Sequence, residues 1–170
     1  MPRDIIADII HRFKIDSATF QLWKKATNKS KQVIIPNGVD HNIWKPAISF
    51  NQKYLLIKRK LGNYRIFLYM GRIVNEKNIE ALLRAWKLVE PKGCRLVIVG
   101  DGPLRTTLES TSLTTNDCDV IWWGYESNLN TKIALLQTAE VFLLPSLVEG
   151  LSLALLEAMS TGTACVATDA

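Results

Sequence analysis

The sequence predicts an α/β domain, a doubly wound and mainly parallel sheet of the Rossmann type, and three observations lead there. Short β-branched runs alternate with helical runs from Gln32 onward. The strand-like runs are apolar on both faces rather than alternating, as expected of strands covered by helices on both sides. Glycine falls within a few residues of four strand ends, where it lets a ligand approach the backbone.

Taken in chain order, residues 3–14 place Ile5, Ile6, Ile9, Ile10 and Phe13 at helical spacing, and Phe20, Leu22 and Trp23 suggest a second short helix before the polar stretch Asn28-Lys29-Ser30-Lys31. Residues 1–31 therefore read as a helical piece or linker set apart from a domain over 32–170. The strand signals within that domain are Val33-Ile34-Ile35, Ile66-Phe67-Leu68-Tyr69, Leu96-Val97-Ile98-Val99, Val120-Ile121-Trp122-Trp123, Val141-Phe142-Leu143-Leu144 and Cys165-Val166-Ala167. Helices are expected over 77–90, 103–112, 128–138 and 151–161, and residues 41–65 read as a connection carrying a short helix. The last helix is apolar almost all round from Leu151 to Met159, which predicts that it is buried.

Composition narrows the class. The chain has 170 residues, 48% hydrophobic and 22% charged, which is one ordinary domain with enough chain for a core. No apolar run approaches the roughly 20 residues of a membrane span, and Met1-Pro2-Arg3-Asp4 does not open a signal peptide, so a cytoplasmic location is expected. Cys94, Cys118 and Cys165 are unpatterned and read as reduced, buried thiols. With only His11 and His41 beside them, no metal site is expected. The net charge of +5 is uneven, +9 over residues 1–65 and −4 over the rest. That basic front reads as a solvated surface, with peripheral contact to an anionic inner-membrane surface as the second reading. No RNA motif, zinc-finger or basic-zipper pattern accompanies it, so nucleic acid is not expected as a partner.

Ligands of an open parallel sheet sit beyond the carboxyl ends of its strands. Those ends carry Gly71-Arg72 with Glu76-Lys77, Gly100-Asp101-Gly102-Pro103, Gly124-Tyr125-Glu126, and Pro145-Ser146 leading to Glu149-Gly150. Arg72 as a planar fork and Lys77 as a point charge are spaced to reach one anionic group such as a diphosphate, or else to pair locally. Free N–H groups around Leu151, Ser152 and Leu153 open the last helix and favour an anion by about 0.3–1 kcal/mol. Glu157 is the odd residue of that helix. A carboxylate among apolar neighbours needs a partner, which on the residues alone is either an arginine or backbone amides, or the vicinal hydroxyls of a ribose. Glu149 beside an anion site fits a ligand bringing phosphate and hydroxyls together.

These residues, with Pro36-Asn37-Gly38-Val39-Asp40 before them and Ala167-Thr168-Asp169 after, resemble in order and spacing the C-terminal half of a family 4 retaining glycosyltransferase, from about Val33 to Ala170. The resemblance implies a GT-B fold, in which two Rossmann-like domains face each other and the C-terminal one holds a nucleotide-diphosphate sugar. It implies that Arg72 and Lys77 hold the diphosphate and that Glu149 touches the hydroxyls of the transferred sugar. Gly71 and the backbone of Gly150, Leu151, Ser152 and Leu153 would meet sugar and phosphate, Glu157 the ribose, and Gly124 with Tyr125 the base. Cations and a helix terminus would then stabilise charge on the leaving diphosphate with no protein nucleophile, cofactor or metal. The acceptor, a glycan, lipid or small molecule, would be held by an N-terminal domain outside this chain. Two departures stand out: Ser152 occupies a usual glycine position, and the chain stops where the family continues, as a fragment does.

Other readings are weaker. Gly100-Asp101-Gly102 begins like a nicotinamide-binding fingerprint, but Arg105 stands where its third glycine belongs and no acidic residue follows at the right distance. Asp117-Cys118-Asp119 spells a metal-binding Asp-x-Asp, yet it precedes a strand, on the wrong side of the sheet. The main alternative is a non-catalytic nucleotide-sugar-binding module, or half of a split enzyme that needs a partner domain.

Overall fold

A computed structural model of the chain describes residues 38–47, 52–113 and 119–169. The helical stripe of residues 3–14, the strand signal at 33–35, Cys118 and Asp117 lie outside the described residues. The elements are α1 (Gln52–Leu61), β1 (Arg65–Met70), a 3-10 turn (Asn75–Lys77), α2 (Ile79–Val89), β2 (Cys94–Val99), α3 (Arg105–Leu113), β3 (Val120–Gly124), α4 (Leu129–Thr138), β4 (Val141–Leu144), α5 (Leu153–Ser160) and β5 (Ala164–Ala167). Five strands form one sheet in the order β3-β2-β1-β4-β5, and every neighbouring pair is parallel. The doubly wound parallel sheet expected from the sequence is the observed fold.

Side chains alternate across β1 and divide the interior into two cores. Ile66, Leu68 and Met70 join Phe142, Leu144 and the buried faces of α1 and α4 on one side. Tyr69, with Phe67 packed alongside, joins Leu96, Ile98, Ile79, Leu82, Trp86 and Leu108 on the other. Burying each such large apolar side chain contributes about 1.5–3 kcal/mol, so these two layers hold the strands in place. Local signals end the helices: the N–H of Gly62, at φ 75°, donates to the carbonyl of Lys58 after α1, and Asn128 caps α4 by accepting from the N–H of Thr131.

One expectation about packing is overturned. The helix expected over 151–161 runs from Leu153 to Ser160, and of its residues only Ala158 is fully buried. Leu153 is 46% and Met159 59% exposed. An all-round apolar composition cannot tell how much sheet lies beneath a helix. Among the described residues β5 pairs only with β4, so α5 covers a sheet edge and its outer face stays in solvent.

Candidate functional site

The central strand β1 has β2 on one side and β4 on the other, so the strand order reverses across it. That reversal splays the following loops apart and opens a crevice beyond Met70 and Leu144. The loops after all five strands face this end of the sheet.

On the β2 side the crevice wall is made of backbone against backbone. Gly71 donates its N–H to Val99, Ile73 donates to Asp101, and Gly100 donates to Gly124. A β-carbon on Gly100 would lie 1.8 Å from the carbonyl oxygen of Gly71, and one on Gly102 would lie 2.3 Å from that of Ile73. These two glycines admit the neighbouring loop rather than a ligand, which corrects the reading that strand-end glycines make room for one. Gly124, at φ 90°, adopts a conformation that favours glycine and lies against the Arg105 guanidinium. A register shift between β2 and β3 sets Val99 opposite Gly124, leaving Trp123 as the extra residue and bringing Tyr125 to the strand end.

On the β4 side the wall is held by charge. Lys77, the last residue of the 3-10 turn, forms an ion pair with Glu149, each side chain only 18% exposed. The hydroxyl of Ser146, itself fully buried, donates to the same Glu149 oxygen, Oε1, at 2.8 Å. The N–H of Leu147 donates to the carbonyl of Glu76 at 2.8 Å, and the Thr168 hydroxyl donates to the carbonyl of Ser146. The loop after β1 is thereby tied to the loop after β4 across the point where the strand order reverses. Arg72 stays outside this cluster, well exposed and 3.6 Å from Glu76. Beneath them Tyr69 donates its hydroxyl to the carbonyl of Arg72. Burial, reinforced by the negative charge of Glu149, pushes the phenol above its ordinary pKa.

Beside the β2-side wall lies a depression of about 230 Å³, lined among others by Gly71, Arg72, Asp101, Tyr125, Glu126 and Lys132 and by neither Lys77 nor Glu149. Three sequence candidates, Gly71, Arg72 and Tyr125, therefore share one hollow. Glu126 is fixed there by accepting from the Trp123 indole at 3.2 Å and from the Asn128 N–H at 2.8 Å. Lys132, one turn into α4, also lies 5.7 Å from the centre of the Trp44 ring. A second hollow, bounded by Trp86, Lys92 and Asp119, sits at the opposite end of the sheet, where strands begin and ligands of such sheets do not bind.

Glu157 projects from α5 half-buried, and among the described residues no hydrogen bond or ion pair engages its carboxylate. Burial pushes its pKa upward, and the Lys132 ammonium partly opposes that shift. Among the described residues, the buried Glu–Arg pair allowed by the sequence is not formed. Ser152 caps α5, its hydroxyl accepting from the Leu155 N–H at 3.4 Å. Leu151 and Ser152 thus precede the helix, whose first residue is Leu153, and Gly150 turns the chain into the cap.

Sequence reasoning missed Ser146 and Lys132. Ser146 carried a signal, since it directly follows a strand beside a carboxylate three residues on. Lys132 had none: it lies eight residues beyond Gly124 within a helix, and only the packing of α4 brings it to the depression. Asp119, of the Asp-x-Asp string, is committed to Arg95 at 2.8 Å. Cys94 is a buried free thiol as expected, whereas Cys165 is only half-buried. No described helix is long and apolar enough to cross a membrane.

Comparison with known proteins agrees with this fold. A family model described as Glycosyl transferases group 1 matches residues 64–170. The UDP-Gal:alpha-D-GlcNAc-diphosphoundecaprenol alpha-1,3-galactosyltransferase of Escherichia coli is 34% identical over 152 residues, covering 78% of this chain and 35% of that protein. The crystal structure of the C-terminal domain of the glycosyl transferase group 1 family protein LpcC from Francisella tularensis superposes with a TM-score of 0.66 at 23% identity, covering 76% of this chain and 70% of that one. Anabaena HepE in complex with UDP superposes with a TM-score of 0.68 at 18% identity, over 94% of this chain and 44% of that one. The likeness to these two structures is one of fold. The chain spans less than half the length of the curated relatives it matches.

Proposed function

Because this chain belongs to the group 1 glycosyl transferases, we propose that it supplies the donor-binding half of an enzyme that transfers a sugar from a nucleotide-diphosphate sugar to an acceptor hydroxyl with retention. The observation that carries the reading is the pairing of Lys77 with Glu149 across the strand-order reversal, with Glu157, whose carboxylate has no partner among the described residues, one turn into α5. A cation and two carboxylates at one crevice suit a ligand that presents diphosphate, sugar hydroxyls and ribose hydroxyls together.

In this reading Lys77 and Arg72 bind the diphosphate, Arg72 swinging from Glu76, to which it is held only by an exposed pair worth under about 1 kcal/mol. Glu149 accepts from sugar hydroxyls, and Glu157 accepts from the ribose. The backbone from Gly150 to Leu153, at the start of α5, adds a partial positive charge beside the phosphate. As the bond from the anomeric carbon to the diphosphate lengthens, negative charge grows on the leaving oxygen. Lys77, Arg72 and the helix terminus stabilise it there, with no protein nucleophile and no metal ion. Tyr125 and Gly124 border the base. The acceptor, a glycan, lipid or small molecule, belongs to a facing domain, so donor binding persists in this chain while transfer depends on acceptor positioning.

The test is calorimetric titration of the chain with UDP, GDP, ADP and their sugar conjugates, with and without EDTA, repeated on Glu157→Ala and Lys77→Ala. Saturable binding of one nucleotide, weakened in both variants, is the expected result. A folded chain that binds none of them refutes the donor site. Binding that disappears with EDTA refutes metal independence alone.

A further inference from the structure

Lys77 and Glu149 are both assigned to the donor, yet they hold each other. Both partners are largely shielded from solvent, so their attraction is less screened than that of a surface pair. The geometry around Glu149 is asymmetric. Lys77 and Ser146 both engage Oε1, and among the described residues Oε2 has no hydrogen-bond donor. Ser146 cannot turn away easily, being fully buried and fastened through its carbonyl to the end of β5 by Thr168.

A diphosphate arriving at Lys77 brings negative charge beside Glu149 and draws on the ammonium that neutralises it. The carboxylate then needs other donors. A nucleotide sugar brings them as hydroxyls, with Oε2 open to receive them, whereas a bare nucleoside diphosphate brings none and leaves two anions facing each other across one cation. We infer that the Lys77–Glu149 pair, oriented by Ser146, makes this crevice select the sugar-bearing nucleotide over the bare nucleoside diphosphate and so favours departure of the product. The inference deepens the donor-site reading and rests on it. Ser146 is on this account a positioning residue: it acts through Glu149 and need not touch the donor.

The experiment titrates the full chain and its Glu149→Gln variant with UDP, GDP and ADP, then with the glucose conjugate of whichever binds. Glutamine keeps the shape and can still meet hydroxyls, but it carries no charge. Glu149→Gln is expected to bind the bare nucleotide about three- to tenfold tighter while binding the sugar conjugate no tighter, so that the preference between the two collapses. Bare-nucleotide affinity that stays level or falls overturns the inference, as does an equal gain for both ligands, which would be plain relief of repulsion. Either of those outcomes leaves the donor site standing, because the wild-type chain has bound its nucleotide. No binding of any ligand to a folded wild-type chain removes the donor site and this inference together. Should Glu149→Gln fail to fold, Ser146→Ala gives the same reading: a shift toward the bare nucleotide in the same direction and smaller supports the orientation, and an unchanged ratio of affinities overturns it.

Discussion

The two walls of the crevice are built on different physics. On the β2 side, Gly100 and Gly102 let two loops meet backbone to backbone, against the carbonyls of Gly71 and Ile73. On the β4 side, the loop after β4 is joined to the loop after β1 by one shielded ion pair, a buried serine and a single backbone bond, beside a helix whose apolar outer face is open. The first wall has one geometry that tolerates no added atom. The second is held by groups that a ligand can take over. A binding site can thus keep a fixed reference surface and place all of its adjustable charge opposite.

The comparison is broken most directly at Gly100. A β-carbon there would overlap the Gly71 carbonyl, at a φ of 142° that other residues rarely adopt, so Gly100→Ala should lower stability by about 3 kcal/mol or more, roughly 10 °C in thermal unfolding. A loss below about 1 kcal/mol would show that the loops part freely and that the wall is not rigid. Next in size, Lys77→Ala should reduce nucleotide affinity about ten- to a hundredfold while moving the melting temperature far less than Gly100→Ala. If stability suffered more than binding, the β4 wall would be structural too. Ser152→Ala removes the cap of α5 and should cost about 1 kcal/mol, whereas Ser152→Gly should cost only a few tenths. Equal losses in urea titrations of the two variants would mean that the hydroxyl does not cap.

The smallest effect concerns Glu157 and pH. Burial raises its folded pKa above the ordinary carboxylate value. Between those two values the folded chain holds more of this proton than the unfolded chain does. Stability from this group is therefore present below the ordinary value and is lost as pH rises through the window. Glu157→Gln should flatten that segment of the stability-versus-pH curve. Ribose hydroxyls donating to the carboxylate favour its charged form, so nucleotide binding within the same window should release protons. Calorimetry in two buffers of different ionisation enthalpy measures that release, and a heat independent of buffer would separate Glu157 from the ligand.

Much of this was legible in the sequence because it depends on local pattern. Apolar runs marked β1 to β5, four of them with glycine within a few residues of their ends, and β4 was bounded to the residue, since Pro145 and the Ala139-Glu140 turn punctuate it. Lys77 and Glu149 stood out as charges at strand ends. What stayed hidden depends on which element packs beside which. Spacing could not say that Lys77 chooses Glu149, far away in sequence, over neighbouring Glu76 and Glu80. It could not show that Gly100 answers to Gly71 rather than to a ligand, that Lys132 reaches the depression, or that α5 lies over a sheet edge and keeps Leu153 and Met159 in water.

The strand order also has a consequence in time. Phe67 of β1 sits opposite Leu96 on one side and Val141 on the other. The first pairing closes a short loop, and the second must wait for a much longer stretch of chain, whose closure is entropically less favourable and slower. The crevice lies at that second junction. A chain that has paired β1, β2 and β3 has a rigid wall but no opposite one, and the charges meant to meet across the gap are still apart. Folding intermediates of this order would lack the proposed donor site. Pulsed hydrogen exchange can follow it: the amide of Arg65, which donates to Gly93, is expected to gain protection before the amide of Glu140, which donates to Ile66.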